Sequence, residues 1–293
     1  MSFRASSAER WSRLSLGLLL LAQSITALEY WGKLAALTTK DGLSLPYGFP
    51  LAISSGLPFP STLGASFLIG VWLSAAVVTW LSRRAVLGLA VMVLINGYLL
   101  VLDQQTYSNH LFLLFLLGAI RLFASAPLAG LWEMPVLLLK TQITAVYLFA
   151  AVSKLNPDFL SGGILGRELY ASGFSPGYWT PPPEVLCLAA AGVVLAELAL
   201  AGGLWLARWR GCFMAMGMAL HAGMVLLMPG EERLGIVAFA LACISVYPLF
   251  VMEGSAQTAF PSQDSSFPKW GRWLPKEPRL GQGTSGALEA AGQ

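Results

Sequence analysis

The chain has 293 residues, 56% of them hydrophobic and only 11% charged, about half the charged fraction of an ordinary soluble domain. No soluble catalytic domain is visible in it, and a net charge of +3 argues against nucleic acid as a partner. Cys187, Cys212 and Cys243 stand singly inside apolar runs, so neither a disulfide framework nor a zinc site is suggested, and no metal ligands are assigned.

Arg4, Arg10 and Arg13 lead into "LSLGLLLLA", which has the look of a secretion signal with a faint cleavage site near Ala27. Apolar residues continue to Leu37 and further apolar runs follow, so a retained first helix is expected. The spanning runs, each of about twenty residues, are Leu14–Leu37, Leu63–Leu81, Ala85–Leu102, Tyr107–Phe123, Met134–Ser153, Val185–Ala207, Gly211–Met228 and Leu234–Met252. The fourth is the shortest in its purely apolar part, Leu111 to Ile120, and needs its polar flanks to complete a span. The fold class expected is therefore all-α: a polytopic integral membrane bundle of about eight transmembrane helices plus interfacial helices, over residues 1–253.

Eight spans put Arg4, Arg10, Arg13, Arg83, Arg84, Arg121, Arg208, Arg210 and the basic residues after the last span on one side, which the excess of Arg and Lys assigns to the cytoplasm. Both termini are expected there. The opposite side receives "TTKDGLSLPYGFPLAISSGLPFPST", "DQQTYSN" and the long "NPDFLSGGILGRELYASGFSPGYWTPPPE", rich in Pro, Gly, Tyr and Trp as interfacial segments are. Within the last, "FLSGGILGRELY" has the pattern of an interfacial helix. Residues 254–293, rich in Ser, Gly and Pro, are expected to be a disordered cytoplasmic tail.

An ionisable residue inside a span costs at least a few kcal/mol by insertion scales, so each one calls for a partner or a task. Lys154, at the outer end of the fifth run, has two readings. It can snorkel to the headgroups, or, enclosed by apolar walls that disfavour its charged form, it can serve as a general base. His110, directly after Asn109 at the outer end of the fourth run, falls on the same face of the membrane as Lys154. Glu197 and His221 lie near the middle of consecutive antiparallel spans, so a Glu–His hydrogen bond would satisfy both, as a structural lock or a proton relay. Lys140 and Gln142, and Glu29 with Lys33 at i, i+4, have simpler pairing or snorkelling explanations.

These residues carry a resemblance. "LDQQTYSNHLFLLFLL", "QITAVYLFAAVSKLNPDFLSG" and the later "AELALAGGLWLARWRG", "HAGM" and "LGIVAF" resemble the HTTM (horizontally transferred transmembrane) domain, the membrane part of vitamin K-dependent gamma-carboxylase, over roughly Leu102 to Met252. The resemblance implies that Lys154 is the base that deprotonates a reduced quinone such as vitamin K hydroquinone, that Asn109 and His110 line the same pocket, and that Tyr147 and Gln142 contact substrate or cofactor. It also implies the chemistry that follows. Oxygenation of the quinol anion generates a base strong enough to take a proton from the gamma-carbon of a glutamyl side chain, and carbon dioxide adds to the carbanion. The implied partners are membrane lipid, a quinone and an exported glutamate-containing peptide. Where the carboxylase has two adjacent lysines this chain has Ser153-Lys154, and Lys-Leu-Asp becomes Lys154-Leu155-Asn156. The carboxylase's large C-terminal extramembrane domain has no counterpart in these residues. A second function therefore stands beside the enzyme: a non-catalytic maturation or assembly factor for an exported peptide, or a small-molecule carrier.

Overall fold

The computed structural model describes residues 7–39, 60–81, 85–102, 106–124, 133–171, 181–227 and 233–257. Among them are ten helices and no strand: α1 Ser7–Thr39, α2 Thr62–Leu81, α3 Ala85–Leu102, α4 Asn109–Ala124, α5 Glu133–Ser153, α6 Pro157–Leu160, α7 Gly163–Ala171, α8 Pro183–Gly203, α9 Arg210–Leu227 and α10 Arg233–Gln257. Seven of these, α1, α2, α3, α5, α8, α9 and α10, are long and apolar enough to cross a membrane. The chain is a multi-pass, all-α membrane helix bundle. Its outward-facing residues are themselves apolar, with Leu63, Phe67, Leu94, Phe149, Leu188 and Leu195 all exposed, as lipid-facing surfaces require.

The most extensive helix pairing is between α1 and α10. The Ser15 hydroxyl, early in α1, donates to the carbonyl of Ser245, midway along α10. Glu29, late in α1, lies against Gly235 at the start of α10. The two helices are therefore antiparallel, and the start of α1 shares one end of the bundle with the end of α10. Buried Ala22, Ala238 and Ala242 sit along these helices, and small residues let helix backbones approach where lipid offers no hydrophobic drive.

The same two landmarks decide the fourth helix. At 16 residues, α4 is shorter than the seven spans, about 24 Å at 1.5 Å per residue. Yet His110 at its start pairs with Glu29 and Arg121 near its end donates to Ser15, so α4 lies antiparallel along the Ser15–Glu29 stretch of α1. Buried Leu113, Leu114 and Leu117 join one core cluster and Leu111 the other, so α4 stands between the two halves. Ser108 caps it by accepting from the Leu111 amide, 3.3 Å.

The α1–α4 half is tied together by Gln23, whose side-chain oxygen accepts from Trp72 Nε1 at 2.9 Å and Asn96 Nδ2 at 3.1 Å. The sixth expected span, Val185–Ala207, stops earlier as α8, whose last residue Gly203 lies against the ring of Phe213 with no room for a side chain. The helix expected in "FLSGGILGRELY" is two helices, α6 and α7. The last helix continues to Gln257, past the expected boundary at residue 253; the rest of the tail, and much of the first two outer loops, lie outside the described residues.

Candidate functional site

The site grows from the end of α5. Tyr147 and Lys154 are seven residues apart, two turns of helix, and so point the same way. Both face α8, α9 and α10. Lys154 Nζ donates to both carboxylate oxygens of Glu197 on α8, at 2.8 and 3.0 Å, and to the carbonyl of Ala150 at 3.2 Å. The Glu197 side chain is only 4% exposed and that of Lys154 24%. This is a nearly enclosed ion pair with every ammonium proton placed on an oxygen.

Lys154 does not reach the mouth of the bundle as a snorkelling helix-end lysine would. Glu197 lies about 21 Å along α8 from Pro183, at 1.5 Å per residue. The outer stretch of α8 is covered by α6 and α7 instead. Asn156 starts that cover: its side-chain oxygen caps α6 by accepting from the Phe159 amide at 2.9 Å, and its amide donates to the Ser153 carbonyl at 2.8 Å. Phe159 packs with Ala151, Ala190 and Val194, and its ring centroid is 5.9 Å from Lys154 Nζ. Gly162 then turns the chain at φ +76°, against Leu186 of α8. The lysine lies beneath this apolar cap.

Deeper along the same face is a second polar group. The Tyr147 hydroxyl is 2.8 Å from His221 Nε2 on α9 and 2.5 Å from the Tyr247 hydroxyl on α10. Both Tyr147 and His221 are 2% exposed. Gly217, one turn before His221, leaves the space that the Tyr247 hydroxyl enters. His221 Nδ1 is buried with no partner among the described residues, so one ring nitrogen is available to a bound molecule.

The residues singled out from sequence divide into two places. Lys154, Glu197, Tyr147 and His221 gather on α5, α8, α9 and α10. The expected Glu197–His221 contact is replaced by two others, because α6 and α7 let α5 end alongside the middle of α8: Glu197 takes Lys154 and His221 takes Tyr147. His110 lies at the same end of the bundle as Lys154 but has its own partners, Glu29, Ser108 and Tyr30, on α1 and the lead-in to α4. Asn109 is exposed at the first turn of α4, and Gln142 is half-buried on α5. Sequence reasoning missed Tyr247. A lone tyrosine in the apolar run "ISVYPLF" was the available signal, since a polar group at mid-span calls for a partner. The chain matches no family model, no curated protein and no solved structure.

Proposed function

We propose that this protein is a membrane-embedded enzyme of the carboxylase-like kind, acting on a lipid-soluble quinol, with Lys154 as its base. The observation that carries the reading is the Lys154–Glu197 pair under the α6–α7 cap. A base must present a lone pair. Passing one proton from Nζ to the carboxylate, 2.8 Å away, turns two ions into an amine and an acid.

The donor set fits a quinol. Its hydroxyl needs an acceptor, its ring needs apolar walls, and Lys154–Glu197 beside Phe159, Ala151 and Val194 supplies both. His221 Nδ1, unpartnered among the described residues, is a ring nitrogen for a second polar group. When bound, the quinol would supply the oxygen-driven basicity that the resemblance implies; the chain's part is to hold its hydroxyl, take the proton and exclude water. The arginine distribution, with both end helices terminating together, supports cytoplasmic termini and a site opening on the other face.

A second reading is favoured by one feature: the ammonium's three protons already have three acceptors within the chain. A lysine so satisfied can be a pin between α5 and α8 in a non-catalytic maturation factor for a glutamate-containing exported peptide, or in a carrier. Mass spectrometry of purified protein separates the two. The enzyme reading expects near-stoichiometric quinone in the wild type, lost in Lys154→Ala; quinone-free protein with a co-purifying acidic peptide would overturn it.

A further inference from the structure

The turn between α8 and α9 carries a basic and aromatic surface that the Lys154 site leaves unused. Leu204 at its start is buried. The Trp205 and Leu206 amides donate to the carbonyls of Gly202 and Gly203 at 3.2 and 3.0 Å, and the Trp209 amide to that of Leu206 at 3.0 Å. Trp205 fixes the turn to its neighbours: Nε1 donates to the Thr144 hydroxyl of α5 at 2.8 Å, and the ring meets Phe250 of α10 edge-on with centroids 5.4 Å apart. Thr144 precedes Lys154 by ten residues, about 15 Å along α5 at 1.5 Å per residue. Two arginines stand on this platform. Arg208 lies over the Trp209 ring, its guanidinium carbon 5.8 Å from the centroid, and Arg210 donates from Nε to the Leu204 carbonyl at 3.2 Å. Among the described residues neither guanidinium has a carboxylate partner. The sequence holds no acidic residue between Glu197, which pairs with Lys154, and Glu231. Trp209 and Leu206 are 55% and 53% exposed beside the arginines, and a side chain at Gly202 or Gly211 would meet nothing within 4 Å.

We propose that this turn is a docking surface for the headgroup of an anionic phospholipid. The ends of apolar spans, where tryptophan collects, lie at the level of the headgroups. A guanidinium offers a phosphate two parallel hydrogen bonds from a planar fork. Arg210 is held through Nε and Arg208 against an indole, so both lose less freedom when a phosphate binds than unanchored side chains would. Leu206 and Trp209 supply apolar contact for the chains below the phosphate. Two positive charges with no carboxylate to balance them favour an anionic lipid over a zwitterionic one, by about fivefold for each basic side chain. Trp205 reaches both α5 and α10, so a lipid held here braces the helices that carry Lys154 and Tyr247, but the inference does not depend on the chemistry of Lys154.

The test titrates the detergent-purified chain with dioleoyl phosphatidylglycerol or dioleoyl phosphatidylcholine and follows bound lipid by native mass spectrometry. Phosphatidylglycerol should bind at least about fivefold more tightly, and Arg208→Gln and Arg210→Gln should each lower its affinity about fivefold while leaving that of phosphatidylcholine unchanged. Arg10→Gln, at an exposed position on α1, is the control and should change neither. Equal affinity for the two lipids, unchanged affinity in the arginine variants, or a matching loss in Arg10→Gln overturns the docking surface. If an arginine variant does not fold, amide hydrogen exchange on the unaltered protein in nanodiscs of each lipid replaces it. Residues 204–212 should be better protected in phosphatidylglycerol, and equal protection in the two lipids would overturn the proposal.

Discussion

Lys154 and Glu197 are bound through both carboxylate oxygens, 2.8 and 3.0 Å apart across α5 and α8, with Glu197 almost wholly enclosed. A paired charge withdrawn from solvent is tolerated, whereas an unpaired one is not, and this asymmetry governs how the site responds to substitution.

Removing one partner should be worse than removing both. Glu197→Ala leaves an ammonium under an apolar cap and is expected to lower stability by about 2–4 kcal/mol. Lys154→Met with Glu197→Leu should recover most of that loss. Thermal unfolding in one detergent compares the three, and a double variant no more stable than the worse single would remove the case for an isolated pair.

Tyr147 is the hub of its hydroxyl network and Tyr247 a spoke. Tyr247→Phe removes one hydrogen bond and is expected to cost about 0.5–1.5 kcal/mol, while Tyr147→Phe strands both the Tyr247 hydroxyl and His221 Nε2 and should cost about 1–3 kcal/mol. Denaturation of the two phenylalanine variants side by side reads the order. The reverse order would mean that His221 does not depend on Tyr147.

Glycines separate into those that admit a neighbour and those that face open space. A methyl group at Gly217 collides with the Tyr247 hydroxyl, and one at Gly203 with the Phe213 ring, whereas Gly192 has nothing nearby. Gly217→Ala and Gly203→Ala should each cost about 1–3 kcal/mol; Gly192→Ala should stay within about 0.5 kcal/mol. Equal melting temperatures for all three would contradict the packing described for α8, α9 and α10.

Gly162 joins the cap to α8. Its φ of +76° and the closeness of Leu186 both oppose a side chain, so Gly162→Ala should loosen α6 and α7 before it unfolds the bundle. Hydrogen exchange confined to residues 157–171 would report this. Exchange spread evenly over α5 and α8 would show that the cap has no separate stability.

The spans were legible because lipid requires apolar runs of fixed length, and their pattern placed His110 and Lys154 at one end of the bundle. Pairings were less legible. Glu197 and His221 sit on consecutive helices, and sequence order alone joins them. What redirects Glu197 is where α5 ends against α8, set by Asn156 capping α6 and Gly162 turning the chain, which a count of apolar residues does not register. The seven-residue interval from Tyr147 to Lys154 was the readable clue that both face the same neighbours. Glu29 with Lys33 was readable as an i, i+4 pair, but its third member, His110, comes from another helix through antiparallel packing that no local pattern encodes.

The base role proposed for Lys154 in quinol-driven carboxylation is tested by supplying the reconstituted protein with vitamin K hydroquinone, oxygen, labelled bicarbonate and a glutamate-containing peptide, and counting label fixed in the peptide. Fixation above a protein-free control is expected of the wild type, and none of Lys154→Ala in folded protein. No fixation by the wild type, or equal fixation by the variant, would contradict it.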